Sequence, residues 1–222
     1  MVRAPVKRFA AMMKYLLWFL GIVLTVVGVS GNPMHLIFPM WIFTYLLREP
    51  LRRMVRGVSF SVSFIGFGVF FGLLTEVFAI INNRSLPPEQ RILLSPDPML
   101  DLVYGLFYYS LLIVTWYVLI RAFTYSKTEV FVITGIYGIF TEEVGQVFMR
   151  IFTVPVIGLL YAIIVSFVYG IFPMLAYMMS EEKLGAKRAN VVVRFLVAAP
   201  ALFVEWAVYG LFILPALKRV FQ

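Results

Sequence analysis

The chain has 222 residues, 62% of them hydrophobic and 14% charged, against about 45–50% apolar and about 25% charged in soluble domains. A globule of this length cannot hide so many apolar side chains, so lipid is the expected solvent for most of the surface. The absence of cysteine excludes disulfides, thiolate metal sites and thiol catalysis, and the net charge of +8 does not indicate nucleic acid, because the basic residues lie in short loops between apolar runs.

Seven apolar segments predict an all-α bundle of about seven transmembrane helices. Most of them approach the roughly 20 residues that a helix needs to cross the bilayer core. The segments are 15–29, 34–47, 58–81, 102–120, 130–148, 154–179 and 195–217. The second is short and contains Pro39, and the fifth contains two adjacent glutamates, so each of the two is either a full span or an incomplete, re-entrant one.

The distribution of basic residues predicts the orientation. If all seven segments cross and the N-terminus is cytoplasmic, 14 of the 19 lysines and arginines fall on the cytoplasmic side. Omitting the second or the fifth crossing would place a basic loop outside. The sequence therefore predicts one integral domain, residues 1–222, in the cell membrane, with its N-terminus inside and its C-terminus outside. The basic and then apolar start of the chain is interpreted as a retained helix rather than a cleaved signal peptide.

Two short patterns recur along the chain. Tyr-Gly-(Leu/Ile)-Phe begins at residues 104, 137, 169 and 209, and Gly-apolar-apolar-Thr-Glu occupies 72–76 and 138–142. Glu76, Glu142 and Glu205 lie 66 and 63 residues apart, on the third, fifth and seventh segments. This spacing indicates either a duplicated two-helix unit, as many transporters contain, or a packing motif in which glycine lets helices approach.

Acidic side chains at membrane depth are the main candidates for function, because each costs at least ~2.5 kcal/mol to insert. Glu76 and Glu142 are predicted at similar depth in the outer halves of their helices, and Glu205 nearer the middle. Glu143 is expected to point about 100° away from Glu142 around the same helix. A structural role is the alternative for each glutamate. Glu76 would then reach the headgroup region, and Glu142 or Glu143 would pair with Arg150 or a tyrosine hydroxyl.

Further polar residues are predicted to complete a cavity that opens outward. Gln146 follows Glu142 by four residues and is expected on the same helical face, and Arg150 is expected on the side of Glu143. Asp101 begins the fourth segment and His35 begins the second, both at the outer side. The candidate ion- or substrate-binding residues are therefore Glu76, Glu142, Glu143, Glu205, Asp101, His35, Gln146 and Arg150.

Three functions fit such a site. Clustered carboxylates in a low-dielectric medium cannot all ionise, so they bind a proton or a cation and exchange one for the other, which favours a proton- or cation-linked transporter or channel. The alternative is a membrane-embedded enzyme on a lipid or isoprenoid, with a protonated carboxyl as acid and an ionised neighbour stabilising positive charge. The second alternative is a non-catalytic subunit of a membrane complex. Whether the chain is an enzyme stays open at this point.

The expected partners follow from the same reasoning. They are membrane lipids and a small ion, small molecule or lipid substrate, and no nucleic acid. Neither a metal nor a cofactor is predicted. The sequence leaves a homo-oligomer and a larger complex equally open.

A resemblance bears on the enzyme alternative. Thr141-Glu142-Glu143, within an apolar segment, resembles the paired-glutamate motif of the small polytopic carotenoid cyclases, which implies acid chemistry on an isoprenoid. The prolines that precede such acids in that family are replaced here by Thr75 and Thr141. The glutamate pair is also similar to that of intramembrane glutamate proteases, but their histidine motifs are missing, because His35 is the only histidine.

Overall fold

The computed structural model describes residues 3–84, 86, 87, 91, 93–180 and 189–221, with the side chains of residues 3–8, 10 and 11 outside the description. All regular secondary structure in these ranges is helical. The α-helices are α1 (Arg3–Ser30), α2 (Ile37–Leu46), α3 (Arg48–Met54), α4 (Phe60–Asn83), α5 (Pro98–Ala122), α6 (Lys127–Thr141), α7 (Gln146–Thr153), α8 (Pro155–Ser180), α9 (Val191–Val208) and α10 (Leu214–Phe221). A π-helical turn, Tyr209–Ile213, joins α9 to α10.

Five helices of the described chain are long and apolar enough to cross a membrane: the apolar part of α1, then α4, α5, α8 and the continuous α9–α10. The expectation of about seven transmembrane helices is therefore confirmed only in part. The second segment contains α2, whose 10 residues extend roughly 15 Å, and the fifth contains α6, whose 15 residues extend roughly 22 Å. Both are shorter than the ~30 Å hydrocarbon core.

The prediction of orientation stays a prediction. It depends in part on six basic residues that lie outside the described side chains, namely Arg3, Lys7, Arg8, Lys183, Lys187 and Arg188. For reference below, the outer end of the bundle is defined as the end where α4 finishes and α5 begins. The opposite end is where α5 finishes and α6 begins.

Polar residues at the helix starts explain where several helices begin. Asp97 caps α5, accepting hydrogen bonds from the next free backbone N–H groups, and Pro98 occupies the first helical turn, where its missing N–H costs nothing. Ser126 and Glu129 form a reciprocal capping box at the start of α6. Asn190 caps α9 through Val192 N at 2.9 Å. These caps set the starts of α5, which carries Asp101, of α6, which leads to Glu142, and of α9, which carries Glu205.

A glycine pair sets the distance between α4 and α5. Gly68 and Gly72 have GxxxG spacing, which predicts a helix contact. In the structure, the missing side chain of Gly68 leaves room for Ile113, and that of Gly72 leaves room for the ring of Tyr109, both on α5. The predicted helix contact is confirmed, and it brings the backbone of α4 against an aromatic side chain of its neighbour.

The hydrophobic core lies between α4, α5, α6, α8 and α9. The largest fully buried side chain of the core is that of Trp116. The indole Nε1 of Trp116 donates to Thr134 Oγ1 at 2.9 Å, so the buried N–H group of the ring has a hydrogen-bond partner. Leu112 and Ile113 are fully buried beside it. This packed half of the bundle lies toward the opposite end. Helix α1 is peripheral and packs mainly on α2 and the short turn before it.

Arginines close the opposite end of the bundle. Arg194 of α9 forms an ion pair with Glu129 of α6 at 2.7 Å and donates to the backbone oxygen of Thr124. Arg52 of α3 donates to Met178 O near the end of α8, with Nε at 3.0 Å. Because a helix end carries unpaired carbonyl groups, a guanidinium there satisfies acceptors and complements the helix dipole.

The fifth predicted segment breaks in its middle. Helix α6 ends at Thr141, and the next residues form a turn in which Glu143, Val144 and Gly145 have φ values of 47°, 54° and 84°. The left-handed conformation costs roughly 1–2 kcal/mol for a residue with a side chain, so the two non-glycine residues store strain. The expectation that Gln146 and Glu142 share one helical face is therefore wrong: no continuous helix connects them.

Candidate functional site

One cavity of about 660 Å³ opens near the outer end of the bundle. Three glutamates, Glu76, Glu142 and Glu143, line it together with the tyrosines of the neighbouring helices. Most of the remaining wall is apolar. The lining residues are Met34, Thr75, Glu76, Ala79, Leu93, Leu94, Tyr108, Tyr109, Thr141, Glu142, Glu143, Val144, Val168, Tyr169, Phe172, Trp206, Ala207, Tyr209, Gly210, Leu211 and Leu214.

Glu76 is held in the cavity by a tyrosine from α5. Tyr109 Oη donates to Glu76 Oε2 at 2.6 Å. The ring of Tyr109 lies against Gly72, one helical turn before Glu76, where an added Cβ would come within 2.5 Å of the ring atom Cγ. On the other side, Glu76 Cγ lies where a Cβ at Gly105 would be only 3.3 Å away. Two glycines therefore make the space in which this tyrosine and this carboxyl meet.

Glu142 is held in the same way by a tyrosine from α8. Tyr169 Oη donates to Glu142 Oε2 at 2.5 Å. The ring of Tyr169 lies against Gly138, which again precedes the glutamate by four residues. Thr141 donates its hydroxyl to the carbonyl of Tyr137 four residues earlier. The local arrangement matches that around Glu76, although the two parts of the sequence lie 66 residues apart.

Glu143 has the most polar surroundings of the three cavity glutamates. Arg150 Nη1 and Nη2 donate to its two carboxylate oxygens at 3.1 and 2.5 Å, and Tyr161 Oη donates to Oε1 at 3.0 Å. The structural alternative considered for the sequence, pairing with Arg150 or a tyrosine hydroxyl, is present in both forms at Glu143 and in its tyrosine form at Glu142. A fork-shaped guanidinium pair of this kind fixes both the charge and the direction of the carboxylate.

Glu205 does not line the cavity but is joined to it through two tyrosines. Tyr137 Oη donates to Glu205 Oε2 at 3.3 Å, and the hydroxyl oxygens of Tyr137 and Tyr108 lie 3.0 Å apart. Because Tyr137 uses its only proton on Glu205, Tyr108 is the donor of the second bond. Glu205 is buried, and its Oε1 has no hydrogen-bond partner among the described residues.

Asp101 lies behind Glu76 and is 0% exposed. Its Oδ1 accepts a hydrogen bond from Ser95 N at 3.0 Å, and its side chain also interacts with that of Glu76. Its Oδ2 has no partner among the described protein atoms when every carboxyl is taken as ionised. The sequence placed Asp101 at the outer start of the fourth segment, and in the structure it is in the first turn of α5.

Three further predicted residues, like Glu205 and Asp101, do not line the cavity. His35 lies in the short 3₁₀ turn Pro33–Leu36 and packs near Phe38, with ring centroids 6.3 Å apart. Gln146 is exposed at the start of α7, for the reason given above. Arg150 acts on the cavity only through Glu143.

The cavity reaches the surface of the bundle between two exposed apolar residues. Val144, in the turn after α6, is 82% exposed, and Leu211, in the π-helical turn, is 69% exposed, yet both belong to the cavity lining. Gly210 also lines the cavity, and a Cβ added there would meet nothing within 4 Å. Exposed apolar side chains also flank Leu211, namely Val208 and Phe212.

Sequence reasoning missed the tyrosine partners. They come from helices other than those that carry the glutamates, and the pairs are separated by 33 and 27 residues. A partial signal existed for Tyr169, which opens one of the recurring Tyr-Gly patterns. None existed for Tyr109, which no recurring pattern includes.

Within the described part of the chain, no three acidic or histidine side chains converge as a metal site would require. No protein-family model, curated protein or solved structure matches the chain. The site is therefore interpreted from its own geometry.

Proposed function

We propose that the protein is a membrane-embedded acid–base enzyme acting on an isoprenoid or another unsaturated lipid, which enters the cavity from the bilayer. The observation that carries the proposal is the position of Glu76 and Glu142. Both open on one mainly apolar cavity, and each is aimed by a tyrosine. Carboxyl groups at membrane depth are costly, and such residues usually serve function.

The size and wall of the cavity favour an organic substrate. Sites for small organic ligands typically have ~300–1,000 Å³ and apolar walls with a few directed polar groups. The 660 Å³ cavity fits that description. An inorganic ion needs far less room, and it needs oxygen ligands rather than leucine and phenylalanine. Toward the opposite end, the described part of the bundle is filled by buried side chains such as Trp116 and Leu112.

The carboxyl groups suit a reaction that begins with protonation of a carbon–carbon double bond. A protonated glutamate transfers its proton to one carbon, forming a C–H bond and leaving positive charge on the other carbon. The carboxyl of Glu143, whose direction is fixed by Arg150, presents oxygen atoms to the cavity, and the tyrosine faces stabilise a cation. Loss of a different proton to a carboxylate completes an isomerisation or ring closure, with protons and electrons balanced.

Lateral entry connects this chemistry with the bilayer. A lipid-borne substrate has no need to cross water if the cavity opens between Val144 and Leu211. Its apolar chain would exchange one hydrocarbon environment for another, so little hydrophobic free energy is lost on binding. Binding would then depend mainly on shape and on the polar contacts at the carboxyl end.

The similarity of the two glutamate sites supports a duplicated two-helix unit. In each, a tyrosine lies on the glycine of Gly-apolar-apolar-Thr-Glu and donates to the glutamate. Glu205 departs from the pattern, since Ala201 takes the place of the glycine. We infer that two copies of the unit form the two sides of the cavity. The third acid, Glu205, lies behind the cavity and is connected to it through Tyr137 and Tyr108.

Proton- or cation-linked transport is the second candidate, and one observation favours it. The hydroxyls of Tyr108 and Tyr137 link the cavity to Glu205 by consecutive hydrogen bonds. Such a chain can pass a proton between the cavity and a buried carboxyl. The two candidates differ in what reaches the opposite side of the membrane, so measurements of flux separate them.

The enzyme proposal is tested by lipid analysis of cells that lack the protein. We expect an unsaturated precursor to accumulate, and the wild-type protein to remove it. Glu76→Gln and Glu142→Gln should fail to do so, because a glutamine cannot donate a carboxyl proton. Glu49→Gln is the matched control, since Glu49 is an exposed glutamate of α3. In D₂O, the product should carry a deuteron at the carbon that is protonated.

Two outcomes contradict the enzyme proposal. One is an unchanged lipid profile in cells without the protein, and the other is full restoration by both glutamine variants. In proteoliposomes, proton-coupled uptake that disappears in Glu76→Gln, Glu142→Gln and Glu205→Gln would establish the transport alternative. Uptake that is unaffected by all three changes would eliminate it.

A further inference from the structure

Asp101 is the most buried acidic residue near the cavity. Its surroundings would not stabilise negative charges on both Asp101 and Glu76. It is 0% exposed, and neither it nor Glu76 forms an ion pair with a lysine, arginine or histidine in the described ranges. Glu143, by contrast, has the guanidinium of Arg150. Burying an unpaired charge is costly, and two such charges in contact repel each other as well.

The geometry places the two carboxyl groups next to each other. Asp101 and Gly105 are four residues apart on α5 and therefore lie on one helical face. Glu76 packs on that face, because its carboxyl carbon Cδ lies where a Cβ at Gly105 would be 3.6 Å away. The two side chains interact there. Among the described residues, the titratable groups that face the pair are neutral or acidic: Tyr104 and Tyr109 on α5, Tyr209 on the π-helical turn, and Glu142 across the cavity.

The hydrogen bonds leave one place for a proton. Asp101 Oδ1 accepts from Ser95 N, while Asp101 Oδ2 lacks a donor if all carboxyls are ionised. Glu76 Oε2 accepts from Tyr109. A proton on the other oxygen of Glu76 would supply the missing donor to Asp101 Oδ2. With that proton every oxygen of the pair except the protonated one accepts a hydrogen bond, and one charge is removed.

We propose that Asp101 is a positioning residue that holds a proton on the Glu76 carboxyl, so that Glu76 is the acid that the cavity presents to its substrate. This inference rests on the function proposed above and assigns roles within it. Asp101 does not touch the substrate, since it does not line the cavity. Its role is to accept the hydrogen bond of the proton that Glu76 donates, and to favour return of that proton after the reaction.

Infrared spectroscopy of the full-length protein in lipid nanodiscs tests the pairing without any substrate. A protonated carboxyl has a C=O stretching band that is separate from the carboxylate bands and shifts in D₂O. We expect the wild-type protein to show this band at neutral pH and Glu76→Gln to lose a part of it. Asp101→Asn should lose the same part, although Glu76 is intact. The new amide can accept from Ser95 N and donate to Glu76, which then needs no proton.

Asp97→Asn is the matched control. Asp97 lies one turn earlier on the same helix, where its side chain caps α5, and asparagine caps a helix equally well. Its band should be that of the wild type. If Asp101→Asn keeps the part of the signal that Glu76→Gln removes, the pairing is overturned. A wild-type protein with no protonated-carboxyl band at neutral pH overturns it too, even if neither variant folds.

The outcomes also separate this inference from the function on which it rests. A persistent band in Asp101→Asn overturns the pairing and leaves the lipid analysis unaffected. Full restoration of the lipid profile by Glu76→Gln and Glu142→Gln overturns the enzyme proposal, even where the band behaves as expected.

Discussion

The contact between Gly72 and Tyr109 gives the most direct test of how the site is built. In a Gly72→Ala variant, the new Cβ would lie 2.5, 2.6 and 2.9 Å from the Cγ, Cδ1 and Cβ atoms of Tyr109. The ring cannot simply move away, because it packs on Phe172 and Tyr108 with centroids 5.1 and 5.2 Å apart. Either α4 and α5 separate, or the tyrosine hydroxyl leaves Glu76.

The size of the effect follows from those two alternatives. Overpacking a well-packed interior costs about 1–3 kcal/mol. Losing the hydrogen bond from Tyr109 to Glu76 adds about 0.5–1.5 kcal/mol. Gly66→Ala is the matched control on the same helix, since a Cβ at Gly66 meets nothing within 4 Å. The gain in helix propensity is common to both variants, so Gly72→Ala should be less stable than Gly66→Ala by about 1–4 kcal/mol.

The measurement is reversible unfolding in mixed micelles, with increasing sodium dodecyl sulfate and circular dichroism as the signal. Tyr109→Ala should relieve the clash, so Gly72→Ala should cost little in that background. Equal stability of the Gly72→Ala and Gly66→Ala variants would show that the close approach of α4 and α5 is not as described. A cost that persists without the tyrosine ring would refute the assigned cause.

Two further predictions concern the edge of the cavity. Val144→Gly should raise the melting temperature. Glycine adopts the left-handed conformation without the strain of roughly 1–2 kcal/mol that a β-branched residue has there. The side chain that is removed is mostly exposed, so little packing is lost. Gly210→Leu should narrow the lateral opening. In a protein with Trp206 as its only tryptophan, it should reduce quenching of Trp206 fluorescence by lipids with brominated chains, whereas Gly66→Leu should leave quenching unchanged.

Both predictions have outcomes that contradict them. Val204→Gly is the control for the first, since Val204 is exposed in a regular part of α9, where glycine should lower the melting temperature. A similar decrease in both variants would mean that the turn at Val144 is not strained. For the second, equal quenching in Gly210→Leu and Gly66→Leu would mean that lipid chains do not reach Trp206 through the proposed opening.

Hydropathy was sufficient to predict a helical membrane protein, because the length and apolar content of α4, α5 and α8 are local properties of the chain. The number of full spans was not predictable in the same way. Basic residues mark changes of side and carry no information on helix length. The segment 130–148 shows why: its pattern, mainly apolar with a pair of adjacent glutamates, fits a full span as well as an incomplete one. In the structure α6 ends at Thr141, and residues 143–145 are three left-handed residues. Of these, only Gly145 is a residue type that signals such a turn.

The candidate site was predictable in its acids and in Arg150 as a partner of Glu143, but not in the tyrosines that bind Glu76 and Glu142. Charge at membrane depth identifies Glu76 and Glu142 from the sequence alone. Tyr109 and Tyr169 are two of 12 tyrosines in a chain rich in aromatic residues, so nothing local distinguishes them. Their role arises from helix packing at Gly72 and Gly138, which is a property of the assembled bundle.

At each glycine contact, the hydrogen bond between the tyrosine and the glutamate depends on the distance between the two helices that carry them. If the surrounding lipid draws α4 away from α5, Tyr109 moves with α5 and its hydroxyl withdraws from Glu76 on α4. The same holds for Tyr169 on α8 and Glu142 beyond the end of α6. In the proposed function, bilayer thickness and lateral pressure would thereby affect the acid chemistry, and the two acids would respond to them together.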